Sequence, residues 1–205
     1  MTAIRKTAAV GIVLVLWAGY SALQTLFVVG GVRELWSAVL GLVPGFLGVL
    51  VLLRAGVSRQ ECFLAVRPLS WGGFGVLAAI FVLGLAAVLP VSRWTGWYWG
   101  ALLLAPASGI SQELFFRAAL LPAMRMVFKN HQAAAQIIHA LLFGLWHIGP
   151  LFLGAPLWGV AAVVAVAVVS GIGWGWQVTH DRTVLWAVVQ HTLFWIVGLQ
   201  FTLTV

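Results

Sequence analysis

Apolar residues fill this chain in long unbroken blocks, each closed by a short cluster of charge or by Gly-Pro pairs. The first block covers residues 7–32, after Arg5 and Lys6 and before Arg33 and Glu34. A second covers 35–53 and holds Pro44 between Gly41 and Gly45, a combination that predicts a kink. A connector with Arg54, Arg59, Glu61 and Arg67 ends at Pro68, and the third block covers 71–92. Arg93 and the cluster Trp94, Trp97 and Trp99 mark a boundary. The fourth block runs from there through Glu113, with its helix expected to continue along the surface towards Arg125 and Lys129. No Asp, Glu, Lys or Arg occurs from Gln132 to Thr179, a length beyond one span of about 20 residues. Gly149-Pro150 and Gly154-Ala155-Pro156 divide it into 133–153 and 157–178. After the turn His180-Asp181-Arg182 the last block covers 183–205. Continuous rather than alternating apolar sequence predicts helices, not barrel strands. The expected fold is all-α: a polytopic transmembrane bundle of about seven spans, forming a single domain over residues 1–205.

Composition agrees with that pattern. The chain is 63% hydrophobic and only 7% charged, with a mean hydropathy of +1.09, whereas soluble domains carry about 25% charged residues. The net charge of +7 would point to nucleic acid in a soluble protein. Here the distribution of the basic residues gives it a topological meaning, and no nucleic-acid partner is expected. Arg5, Lys6, Arg54, Arg59, Arg67, Arg125, Lys129 and Arg182 fall on one side of the seven-span path, against Arg33 and Arg93 on the other. Such a bias places the N-terminus in the cytoplasm. The first block is too long for a signal-peptide core and no small-residue cleavage site follows, so it reads as an uncleaved span. The one cysteine, Cys62, excludes an intrachain disulfide and argues against a cysteine-based metal cluster. Gly171, Gly173 and Gly175 lack the strand context of a nucleotide loop and predict close helix packing instead.

Candidate chemistry is concentrated in the fourth, fifth and seventh blocks. Glu113 and Arg117 lie four apart, on one helical face, with the acid on the favourable N-terminal side. Charge at membrane depth is costly and pairs, faces inward and marks function. Taken alone, the pair equally fits a neutralised fastening between helices. His147 and His191 stand on two further apolar helices, where an imidazole needs polar partners. A carboxylate and two imidazoles can activate water: one group takes its proton, a second orients it and a third steadies the oxyanion. The same set, Glu113, His147 and His191, could instead hold zinc with an open position. The sequence leaves both chemistries open, with and without a metal.

At these residues the chain resembles the CPBP intramembrane proteases, also called Abi or type II CAAX prenyl endopeptidases. The motifs of that family are Glu-Glu-x-x-x-Arg, Phe-x-x-x-His and His-x-x-x-Asn, each on its own helix. Here they read Gln112-Glu113-Leu114-Phe115-Phe116-Arg117, Phe143-x-x-x-His147 and His191-x-x-x-Trp195. The segment 175–186 leading into His191 is also similar, and the resemblance covers about 97–205. It implies an endopeptidase that cuts a membrane-associated peptide or protein within the bilayer, in a bacterial-type cytoplasmic membrane. It implies site residues Gln112, Glu113, Arg117, His147 and His191. Two positions depart from the pattern. The first Glu, taken in the family as the base, is Gln112, and the Asn that assists at the oxyanion is Trp195. A step of one residue turns Glu113 about 100° around the helix from Gln112, towards Arg117. The alternative expectation is therefore a weakened pseudoprotease that binds a membrane peptide or serves as an immunity protein.

Overall fold

A computed structural model describes residues 3–30, 34–88, 92–198 and 200–203. Val32 and Arg33, residues 89–91 and the terminal Thr204 and Val205, all within or beside the expected spans, lie outside the described residues. The helices are α1 (Ala3–Val29), α2 (Glu34–Arg54), α3 (Trp71–Val88), α4 (Ala101–Phe115), α5 (Leu121–Val127), α6 (Gln132–Leu145), α7 (Leu157–Asp181) and α8 (Leu185–Gly198). A π-helical turn, Phe116–Leu120, joins α4 to α5 without a break, and a 3₁₀ stretch, Trp146–Leu153, prolongs α6. Seven helical rods result, matching the seven blocks of sequence.

The chain is inside-out relative to a soluble protein. Val15, Val82, Leu103 and Leu157 are largely exposed, whereas Glu113, Arg117, His139, Gln177 and His191 are buried. That inversion suits a bundle whose outer surface meets lipid and whose polar groups must satisfy one another inside. Ile4–Val29, Gln132–Leu153 and Leu157–Asp181 are each long and apolar enough to cross a bilayer, with shorter apolar helices between them. The protein is an integral membrane protein.

Small residues set the helix spacings that matter for the site. Gly109 on α4 lies against α8, where a Cβ would come within 2.6 Å of Thr192 Oγ1 and 3.1 Å of its backbone nitrogen. That contact brings the helix of Glu113 directly beside the helix of His191. On α7, a Cβ at Gly171 would stand 3.2 Å from Ala140 Cα on α6, and one at Gly173 would stand 2.6 Å from Ile80 on α3. The glycine run is thus a packing face, as its lack of any strand context implies.

Three expectations need correction. The seventh rod ends at Gly198, not at the last residue. Phe201–Leu203 then forms a strand, β2, antiparallel to β1 (Ser92–Trp94), in the register Ser92↔Leu203 and Trp94↔Phe201. Gln200 ties this clip together, its carbonyl accepting from Thr95 and its side chain from the Tyr98 N–H at 2.6 Å. The third rod likewise ends at Val88, short of Ser92. The helix beyond Arg117 does not run along the surface, because Leu121, Pro122, Ala123 and Met124 are all buried.

The ends of the rods sort themselves. The strand pair joins the connection after α3 to the segment after α8. A cavity at the other end is lined by the connection after α2, by α5, by Gln132 at the start of α6 and by Arg182 after α7. Cys62, in the connector after α2, is fully buried, and burial pushes its thiol up to about 11. It is inert at neutral pH.

Candidate active site

Glu113 occupies the centre of the buried polar cluster. Its Oε1 accepts from Arg117 Nη1 at 3.1 Å and lies 2.7 Å from His191 Nδ1. Both Glu113 and Arg117 are completely buried. The i, i+4 pair expected from spacing is present, and a histidine from α8 completes it. Because Arg117 holds Glu113 as an acceptor, His191 donates through Nδ1, which turns its Nε2 away from the carboxylate. Glu113 Oε2 has no hydrogen-bond partner.

Aromatic rings close the cluster on the remaining sides. The Arg117 guanidinium carbon sits 4.2 Å from the Phe143 ring centroid and 4.9 Å from that of Trp174, close enough for cation–π attraction in a desolvated setting. Trp174 also stacks on His191, with centroids 4.5 Å apart, and is itself held by Nε1–H donated to Gln190 Oε1 at 2.5 Å. Trp195 lies parallel to His191 on the far side, 6.5 Å between centroids. Its indole N–H is buried and has no partner.

His147 comes from the first turn of the 3₁₀ stretch. Tightening of the helix there frees carbonyls of the last α-turn, and the Phe143 carbonyl lies 2.9 Å from His147 Nδ1. A carbonyl only accepts, so Nδ1 carries the proton and Nε2 is an acceptor in the neutral ring. Its ring meets Phe143 edge to face, 4.9 Å between centroids, and Phe143 is the ring that lies against Arg117. Gln112 is buried, and its Oε1 has no partner. One helical step sets its Cα–Cβ direction about 100° around α4 from that of Glu113. Among the described residues, no three His, Cys, Asp or Glu side chains converge to hold a metal ion. Glu113 Oε1 and His191 Nδ1 are engaged with each other, which leaves Glu113 Oε2 and the Nε2 atoms of His147 and His191 as the remaining donors of that set.

Two participants escaped the sequence reading. Trp174, which braces both Arg117 and His191, is one tryptophan among twelve in the chain; its only local signal is the flanking pair Gly173 and Gly175. His139 is fully buried beside Arg117 and the Phe116 backbone, with neither ring nitrogen in a well-formed hydrogen bond. Its spacing was informative: His139 and Phe143 lie four apart on one face of α6, and His147 follows four later in the 3₁₀ stretch.

Comparison with curated proteins and with solved structures found no match. A protein-family model, described as type II CAAX prenyl endopeptidase Rce1-like, matches residues 93–197. That range covers more than half the chain and holds every residue of the buried cluster, from Gln112 to Trp195. The carboxylate, arginine and two histidines on three packed helices thus lie within a chain that belongs to the Rce1-like family of type II CAAX prenyl endopeptidases.

Proposed function

We propose that this protein hydrolyses a peptide bond in a membrane-associated peptide or protein, using water activated at an imidazole that Glu113 holds in place. The observation that carries the reading is the 2.7 Å contact between Glu113 Oε1 and His191 Nδ1. A buried carboxylate on Nδ1 fixes the tautomer and stabilises the ring when Nε2 takes a proton, as in the carboxylate–histidine pairs of hydrolases. In this reading water gives its proton to His191 Nε2 and attacks the scissile carbonyl. His147 Nε2 and Gln112 Oε1 accept hydrogen bonds that orient the water. The unpartnered Trp195 N–H supplies a donor for the oxyanion, taking over from the Asn of the family motif. His191 then returns the proton to the leaving amine. Arg117 supplies the opposite charge that Glu113 needs in the low-dielectric interior.

The test is cleavage of a panel of membrane peptides, including prenylated C-terminal ones, by purified protein. Wild-type protein is expected to cut at least one, with or without chelator. Trp195→Phe retains a ring against His191 and removes only the donor; loss of one oxyanion donor costs about 10²–10³ in kcat. A folded Trp195→Phe protein with wild-type kcat would remove Trp195 from the mechanism. A panel left uncut by folded wild-type protein would favour the second reading, a peptide-binding pseudoprotease, which rests on Gln112 standing where the family has its base.

The orientation proposed is N-terminus in the cytoplasm of a bacterial cell, from the bias of Lys and Arg. A reporter fused after Val205 is expected to be active only outside, and one inserted near Arg59 only inside. Equal activity of both on one side of the membrane would break the seven-span path.

A further inference from the structure

A second polar feature lies far along the helix from Glu113, at the end of the bundle where the connections after α2, α5 and α7 meet. It is a cavity of about 180 Å³ holding two arginines, Arg125 and Arg182. A single water needs only about 10–15 Å³ measured the same way, so the cavity admits a group of several heavy atoms. The two guanidinium groups are near enough to repel each other, and Arg125 is half-buried. Among the described residues, no carboxylate forms an ion pair with either.

The acid beside them is already occupied. Glu61 accepts from the Ser58 N–H at 2.7 Å through Oε2 and donates its own N–H to Ser58 Oγ at 3.2 Å, a reciprocal turn that ties the carboxylate to its own loop. The rest of the lining is Gln132 and the apolar Val57, Phe63, Pro122 and Met126. Arg182 adds a further sign of selection for its side chain. It ends α7 at φ 58°, the left-handed region that glycine favours and bulky residues avoid.

We propose that this cavity binds the phosphate of an anionic phospholipid of the leaflet facing the N-terminal side. Paired arginines recognise phosphate through several donors at once. Basic pockets between transmembrane helices at a membrane face take lipid headgroups. The apolar lining suits the glycerol and first acyl carbons better than it suits a free ion.

The test uses the full chain in neutral detergent, following thermal unfolding as lipid is added. Phosphatidylglycerol is expected to raise the midpoint in a saturable way, and phosphatidylcholine is not. Arg125→Gln and Arg182→Gly should each weaken the apparent affinity on the order of tenfold, the scale of a lost charged hydrogen bond. Glycine at 182 relieves the left-handed turn, so that variant should fold at least as well as the wild type. The exposed Arg54, changed to Gln, is the control for diffuse attraction and should leave the affinity unchanged. Equal responses to the two lipids, or undiminished binding in both cavity variants, would overturn the proposal. Saturation by inorganic phosphate with no further effect of phosphatidylglycerol would assign the site to a soluble phosphate and remove the lipid. Competition by a carboxylate-terminated peptide alone would assign it to substrate and overturn it equally.

Discussion

Glu113→Ala and Arg117→Ala should each lower the stability of the fold by about 3–5 kcal/mol, because each leaves one buried charge without its partner. Neither residue has any exposed surface, and the 3.1 Å contact between them is the only ion pair Arg117 makes among the described residues. Losing Glu113 is expected to be the worse of the two, since it also strips His191 of its acceptor. The double variant should recover part of the loss, because an apolar pair needs no compensation in a dry interior. It should not recover all of it: His191 Nδ1 remains without the carboxylate, and the Phe143 and Trp174 rings lose the cation between them. Unfolding in detergent, compared across the wild type, both single variants and the double, measures the coupling directly. Strictly additive losses would mean that the pair is not a unit.

Gln112→Glu is the variant expected to gain. Its Oε1 is buried and unpartnered, in the place where the family motif has its base, and the change to a carboxylate hardly alters volume. General-base catalysis contributes about 10²–10⁴-fold, so even a fraction of that range should raise cleavage visibly above a weak wild-type background. Glu113→Gln separates the two carboxylate roles. It keeps an acceptor for His191 but removes the charge, and should lower activity in the wild type while leaving part of the gain in a Gln112→Glu background. If Gln112→Glu changes nothing while Glu113→Gln abolishes cleavage, the Glu113–His191 pair is the whole of the proton-accepting machinery. If neither variant nor the wild type, all folded, cuts any peptide, the hydrolytic reading falls.

How far the sequence revealed this molecule depended on the range of the forces involved. Lipid permits few structures, so runs of apolar residues were enough to find the helical rods and their order. Spacing along one helix was enough to pair Glu113 with Arg117. Contacts set by distant segments were not legible. Residues 201–203 read as helix because their apolar composition suits a span, yet Gln200 and Thr95 hold them in a strand pair 105 positions apart. The buried course of Leu121–Met124 depends likewise on packing among other helices. His191 could be seen as a polar residue in need of a partner, but its choice of Glu113 follows from the contact of α4 with α8 at Gly109. Trp174 gave no cue beyond its flanking glycines, since an aromatic ring in an apolar helix is ordinary until an arginine is found against its face.

The π turn at Phe116–Leu120 has a consequence for how this chain can change. A π turn carries one residue more than an α-turn in its ring, so deleting one residue there would leave a continuous helix. The extra residue is taken up inside the turn, so the helices on either side would keep nearly the same phase. Glu113 and the cavity with Arg125 sit on opposite sides of that turn. Loss or gain of that one residue would therefore reshape the wall around Phe116 and Arg117 without turning the interior carboxylate and the arginines at the membrane face against each other.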